Sequence, residues 1–177
     1  MRWSRSGSVG TVCSALALLG ACTPVHDWRD VRVAKGVLRA QLPCKPATQV
    51  RKVSLAGQPV SLSLHACSAG GQTWALAWSD VQDPMRVGPA LRDLRAAAAA
   101  NVGAAPPVGL PLQVPGATPH ADSVRLGLQG QMPDGRPVRE QVALFVHGTV
   151  VVQATVLGEE LPADAVETFF AALRAGP

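Results

Sequence analysis

From residue 38 onward, apolar and polar positions alternate. Leu38, Ala40 and Leu42 are separated by Arg39 and Gln41, the period-two pattern of a strand with one buried face. Pro43 and Pro46 bracket Cys44 and stop it. An earlier strand is expected over 28–33. Segments 49–55 and 60–67 form a hairpin joined by Ala-Gly-Gln-Pro at 56–59. In its second arm Val60, Leu62, Leu64 and Ala66 share one face, and Ser61, Ser63, His65 and Cys67 the other. After Gly70-Gly71, residues 73–81 place Trp74, Leu76 and Trp78 on a single side. That is the strongest core strand.

The period then changes. Val87, Leu91, Leu94, Ala98 and Val102 form one stripe at helical spacing. Asp83 precedes Pro84 as an N-cap with proline in the first turn, where its missing N–H costs nothing. The alanine run 96–100 has the highest helix propensity, and Gly103 offers a stop. Residues 104–122 carry prolines at 106, 107, 111, 115 and 119, a long connection for a compact domain. Strands at 123–132, 138–146 and 150–157 follow, turning at Pro133-Asp134-Gly135-Arg136 and at His147-Gly148. A closing helix over 162–175 would bury Val166, Phe169, Phe170 and Leu173. Antiparallel hairpins with segregated helices define an α+β class. One domain over 28–177 is expected, a largely antiparallel sheet of about six or seven strands with two main helices packed on it.

The start of the chain changes the picture of where this domain works. Arg2 and Arg5 precede an uncharged segment, 6–21, apolar only in its second half. Crossing the ~30 Å hydrocarbon layer needs roughly 20 apolar residues, so the segment reads as a secretory signal peptide. Leu19-Gly20-Ala21-Cys22 resembles the lipobox of bacterial lipoproteins. Under that resemblance, small side chains at 20 and 21 would admit a peptidase, and the Cys22 thiol would be the nucleophile that takes a thioether-linked diacylglycerol. The resemblance implies cleavage after residue 21, a lipid on Cys22 and a tether through residue 27. Several acyl chains make such an anchor effectively permanent, at ~0.8 kcal/mol per buried methylene. Thr23 stands where an Asp would signal inner-membrane retention in the enteric pattern, so the outer membrane, periplasmic side, is the expected address.

Charge adds little. The chain holds 16 basic and 12 acidic residues. Without the two leader arginines the remainder has 14 against 12, a formal charge of +2. The arginines are scattered, with no basic stripe interleaved with aromatics, so nucleic acid is not an expected partner. The membrane, through the lipid, and another envelope protein are.

With Cys13 in the leader and Cys22 lipidated, Cys44 and Cys67 remain as an even pair in an oxidising compartment. If Leu55 faced Val60 across the hairpin, Cys67 would lie opposite Thr48, with Cys44 only a bend away. A disulfide is the leading expectation. The alternative is a small metal-binding or redox lipoprotein in which His65, Cys67 and Cys44 act as three soft ligands. No fourth ligand is apparent in the sequence, and no cofactor is expected.

Catalytic signatures are missing: no H-E-x-x-H, G-x-S-x-G, phosphate loop or S-x-x-K occurs. His120 and Asp122, spaced as a base and its orienting carboxylate, read first as solvated loop, and a non-enzyme is expected. Glu159 and Glu160 read as favourable charge ahead of the last helix. Within the proline-rich segment Val108, Leu110, Leu112 and Val114 alternate with small or polar residues. That strip either covers the domain's own core or docks a partner at a sheet edge. Element order, with a strand ending "LPCKP", a hairpin around Gly and the closing "VVVQATVLG…AVETFFAALR", resembles the PsbP-like extracytoplasmic domains. That resemblance implies a helix-sandwiched antiparallel sheet that binds or assists assemblies rather than catalysing, and it transfers no functional residue.

Overall fold

Alternation becomes strand wherever a turn can return the chain. The computed structural model describes residues 25–176, so Cys13, Cys22 and the proposed leader lie outside the described residues. Ten strands and two helices form in the order β1 (Arg29–Val33), β2 (Leu38–Leu42), β3 (Ala47–Leu55), β4 (Gln58–Ala69), β5 (Gln72–Asp80), α1 (Pro84–Asn101), β6 (Leu110–Pro111), β7 (Val124–Gln131), β8 (Pro137–His147), β9 (Val150–Gly158), α2 (Ala163–Ala171) and β10 (Arg174–Ala175). Seven strands make one antiparallel sheet in the order β3-β4-β5-β9-β8-β7-β6. The class is α+β, as the pattern implied.

A strand exposes two faces, and both are covered here. Helix α1 lays Val87, Leu91, Leu94 and Ala98 against Val124, Leu126, Val142, Leu144 and Val151 on one side. Its start is set locally: Asp83 accepts a hydrogen bond from the Met85 backbone N–H at 2.8 Å, with Pro84 in the first turn. On the other side Trp74, Leu76, Phe145, Val152, Ala154 and Val156 pack against Val166, Phe169 and Phe170 of α2. Trp74 and Phe169 meet edge to face at 5.5 Å between centroids, a favoured aromatic geometry.

The second face carries a layer that the hydrophobic pattern does not announce. Strands β1, β2 and β10 form a separate three-stranded antiparallel sheet, with β2 in the middle. Its inner residues Val33, Leu38, Ala40 and Leu42 join the α2 core. The last helix consequently ends at Ala171 instead of running to 175. Arg174 and Ala175 turn extended because their backbone finds partners elsewhere: Ala175 N–H donates to Pro115 and Gly176 N–H to Val37, each at 2.8 Å. Two residues carry no periodicity to read.

The β3–β4 register also differs from the expected one. Leu55 pairs with Gln58, not Val60, and Thr48 faces His65. The loop is two residues, Ala56 and Gly57, both with positive φ (51° and 71°), a turn whose twist suits a tight hairpin better than four residues would. A shift of two keeps every side chain on its expected face.

Candidate functional site

Strand β2 ends in the bend that carries Cys44, and β4 carries Cys67 on the face toward α2. The two form a disulfide with Cα atoms 5.9 Å apart. The corrected register brings Cys67 one step beyond the Ala47–Ala66 pair, close to the start of β3. Cys67 packs against the Trp74–Phe169 core, so the face that it shares with Ser61, Ser63 and His65 is partly covered at this end. The bridge therefore ties the small sheet to the large one.

Both sulfurs are thereby committed, and His65 is left without the thiolates that the metal-site alternative requires. Its Nδ1 instead lies 3.1 Å from Thr48 Oγ1, and partial burial lowers its pKa. Among the described residues no three His, Cys, Asp or Glu side chains gather as a metal site would need.

The proline-rich connection splits the apolar strip in two. Leu112 and Val114 turn inward onto the core beside Phe145. Val108 and Leu110 turn outward, 95% and 73% exposed. The segment is held at several points: Arg95 donates to the Pro107 carbonyl, Leu110 and Pro111 pair with β7, and Thr118 N–H donates to Val146 at 2.8 Å. Gly109 lies so flat on β7 that an added Cβ would stand 2.6 Å from Val124 Cβ. Behind the strap, Leu112, Val114, Thr118, Ser123 and Phe145 enclose a cavity of about 230 Å³, and Ser123 Oγ is buried there without a partner. Strand β6 is the last in the sheet order, so its outer side has no neighbouring strand among the described residues. A free strand edge beside two exposed apolar side chains is a place where an extended segment of another chain can add.

His120 and Asp122 do come together, but in local structure. Asp122 N–H donates to His120 Nδ1 at 3.1 Å, and the Asp122 carboxylate pairs with Arg92 of α1 at 2.8 Å. This arrangement ties the loop to α1, where an added Cβ on Gly88 would meet Arg92, Asp122 and His120 at 3.2–3.4 Å. Glu159 lies 3.4 Å from Arg136, and the acidic residue in the first turn of α2 is Asp164. Thus Glu159 is engaged by a neighbouring turn in addition to preceding the helix.

Glu140 belongs to no motif, yet it is the buried carboxyl of an apolar strand face. It lies on the α1 face of β8 between Val138 and Val142, opposite Leu128 and Leu157, and is only 5% exposed. Its Oε2 is buried with no hydrogen-bond partner, and burial raises the carboxyl pKa to about 7. The signal was present: Glu140 interrupts the even-numbered stripe Val138, Val142, Leu144, Val146. Nearby, Gly71, Thr73, Val138, Leu157, Arg136 and Glu159 wall an open cavity of about 540 Å³ at the end of the sheet.

No family model, curated protein or solved structure matches the chain. Among the described residues no helix is long and apolar enough to cross a membrane.

Proposed function

We propose that this chain is a bacterial envelope lipoprotein, anchored through Cys22 to the outer membrane on its periplasmic side, whose single domain binds another envelope protein and is not an enzyme. The observation that carries the reading is the Cys44–Cys67 disulfide. Disulfides persist in oxidising compartments and are rare in the reducing cytosol. It pairs the two cysteines that remain once a leader ending in Leu19-Gly20-Ala21-Cys22 is taken into account.

Binding is supported by two exposed apolar side chains, Leu110 on the terminal strand β6 and Val108 just before it. The partner segment would lay its apolar side chains against this pair beside β6, where Pro111 offers a carbonyl but no N–H. In-cell photo-crosslinking tests this. A crosslinker at Leu110 should capture a defined envelope protein, whereas one at Arg51, on the opposite edge strand β3, should not. Equal capture from both sites, or none from either, contradicts the docking edge.

A further inference from the structure

The small sheet opposes like charges. Arg32 of β1 stands directly across from Arg39 of β2, and Arg39 directly across from Arg174 of β10. All three are exposed on the outer face of this sheet. Opposed cations on neighbouring strands destabilise a sheet. Among the described residues none of the three has a carboxylate within ion-pairing distance. Asp30, on the same strand as Arg32, accepts a hydrogen bond from Gln41 at 3.0 Å. The Arg174 guanidinium donates to the carbonyls of Ala171 and Leu173, which fixes its position but leaves its charge unneutralised.

The turn between β1 and β2 adds a fourth cation at a conformational cost. Ala34, Lys35 and Gly36 all have positive φ, 51°, 56° and 90°. Only the third is glycine, and side-chain-bearing residues avoid this region. The left-handed turn places the exposed Lys35 beside the arginines, where Arg32, Lys35, Gly36, Val37 and Arg39 line a shallow concavity of about 310 Å³. Backbone strain and charge repulsion converge on one spot, the pattern of a place kept for a ligand. An anion there would relieve the repulsion, and guanidinium groups favour phosphate with paired hydrogen bonds.

We propose that this outer face rests on an anionic membrane surface, with lipid phosphates held by Arg32, Arg39, Arg174 and Lys35. The choice of a membrane over a soluble anion rests on the lipoprotein reading. Residues 25–28 already lie on the domain, with Val25 and His26 against Gly70 and Asp27 N–H donating to the Pro43 carbonyl at 2.9 Å. Cys22 therefore stands three residues before Val25, a reach of at most ~10 Å. The strand that leaves the tether carries Arg32, so a lipid at Cys22 would hold this face within range of the headgroups. The anchor supplies residence, and the cationic row sets which way the domain faces, turning the β6 edge consistently relative to the bilayer.

The test uses the chain with residues 1–22 replaced by an ordinary secretory leader that is removed on export, so that neither a lipid nor the basic, apolar leader contributes. It is sedimented with vesicles of phosphatidylglycerol mixed equally with phosphatidylcholine, or of phosphatidylcholine alone. Binding is expected to the mixed vesicles only, to fall with added salt, and to weaken about fivefold for each of Arg32→Gln and Arg39→Gln. Arg51→Gln, a cation away from this face, should bind as the parent does. Circular dichroism checks that the variants stay folded, as expected when opposed charges are removed from a surface. Equal binding to neutral vesicles, or unchanged binding by the Arg32→Gln/Arg39→Gln double variant, overturns the proposal. Competition by millimolar inorganic phosphate at constant ionic strength would reassign the row to a soluble anion and overturn it too. Failure of the anchor claim would leave this vesicle binding intact, so the two are separable.

Discussion

Cys44 and Cys67 join the bend after β2 to strand β4 through a disulfide with Cα atoms 5.9 Å apart. The bond thus links two sheets that share a core but no hydrogen-bonded strand pair. Its loop is of moderate length, and the chain-entropy model assigns such a closure about 3 kcal/mol. Denaturant unfolding with and without reductant should show that loss, and Cys44→Ser/Cys67→Ser should match the reduced protein. Coincident unfolding curves would remove the bond from the stability of the domain.

Glu140 makes stability depend on pH in an uncommon direction. Its folded-state pKa, about 7, lies above the ordinary 4.5 because burial disfavours the charged form. The folded state therefore binds the proton more tightly than the unfolded state. The destabilising contribution is absent below about 4.5, grows between the two values and is complete above about 7. Its size is on the order of 3 kcal/mol. Glu140→Gln, close in shape to the neutral acid, should flatten this dependence and unfold at higher denaturant than wild type at pH 8.5. A variant whose stability tracks wild type at both pH 5 and pH 8.5 would refute the role of this carboxyl.

The apolar strip 108–114 should divide by stability. Val108→Ser and Leu110→Ser remove exposed groups and should leave stability within about 0.5 kcal/mol. Leu112→Ser and Val114→Ser place hydroxyls against the core beside Phe145 and should cost roughly 1–3 kcal/mol each. Thermal unfolding of the four variants reads this directly. A uniform effect would mean that the strip does not split between core and surface.

Gly130 marks where β7 passes the end of α1. A Cβ there would stand 1.8 Å from the Val102 carbonyl oxygen, which accepts a hydrogen bond from Gln131 N–H at 3.0 Å. Backbone must move to admit it, so Gly130→Ala should lower stability by about 1–3 kcal/mol. Gly127→Ala, whose nearest contact is the Gln141 amide nitrogen at 3.3 Å, should cost less. Equal melting temperatures for the two variants would contradict the close approach.

What could be read from the chain was local. Asp83 and Pro84 start α1, and the stripe from Val87 to Val102 is buried throughout, because capping and helical period both act within a few residues. The pairing of Cys44 with Cys67 was legible because a short hairpin limits where the partner can lie. The hairpin register missed by two because the sequence does not say whether Gln58 is turn or strand; positive φ at Ala56 and Gly57 decides it. The strip from Val108 to Val114 keeps period two, yet only Leu112 and Val114 meet the core, while Val108 and Leu110 stay exposed. Strand β10 and the Arg32–Arg39–Arg174 row depend on a pairing between β2 and the last residues of the chain, which no local pattern encodes. Glu140 was readable as a break in an apolar stripe, but its unpaired oxygen needs the packed neighbours to be seen.

The central claim is an exported domain held to the membrane by a lipid on Cys22. Mass measurement of the N-terminal peptide from the protein purified out of its native membranes tests it most directly. The account predicts a peptide beginning at Cys22 with a diacylglycerol on its sulfur. A peptide that begins elsewhere, or a Cys22 that carries no acyl chain, would contradict it.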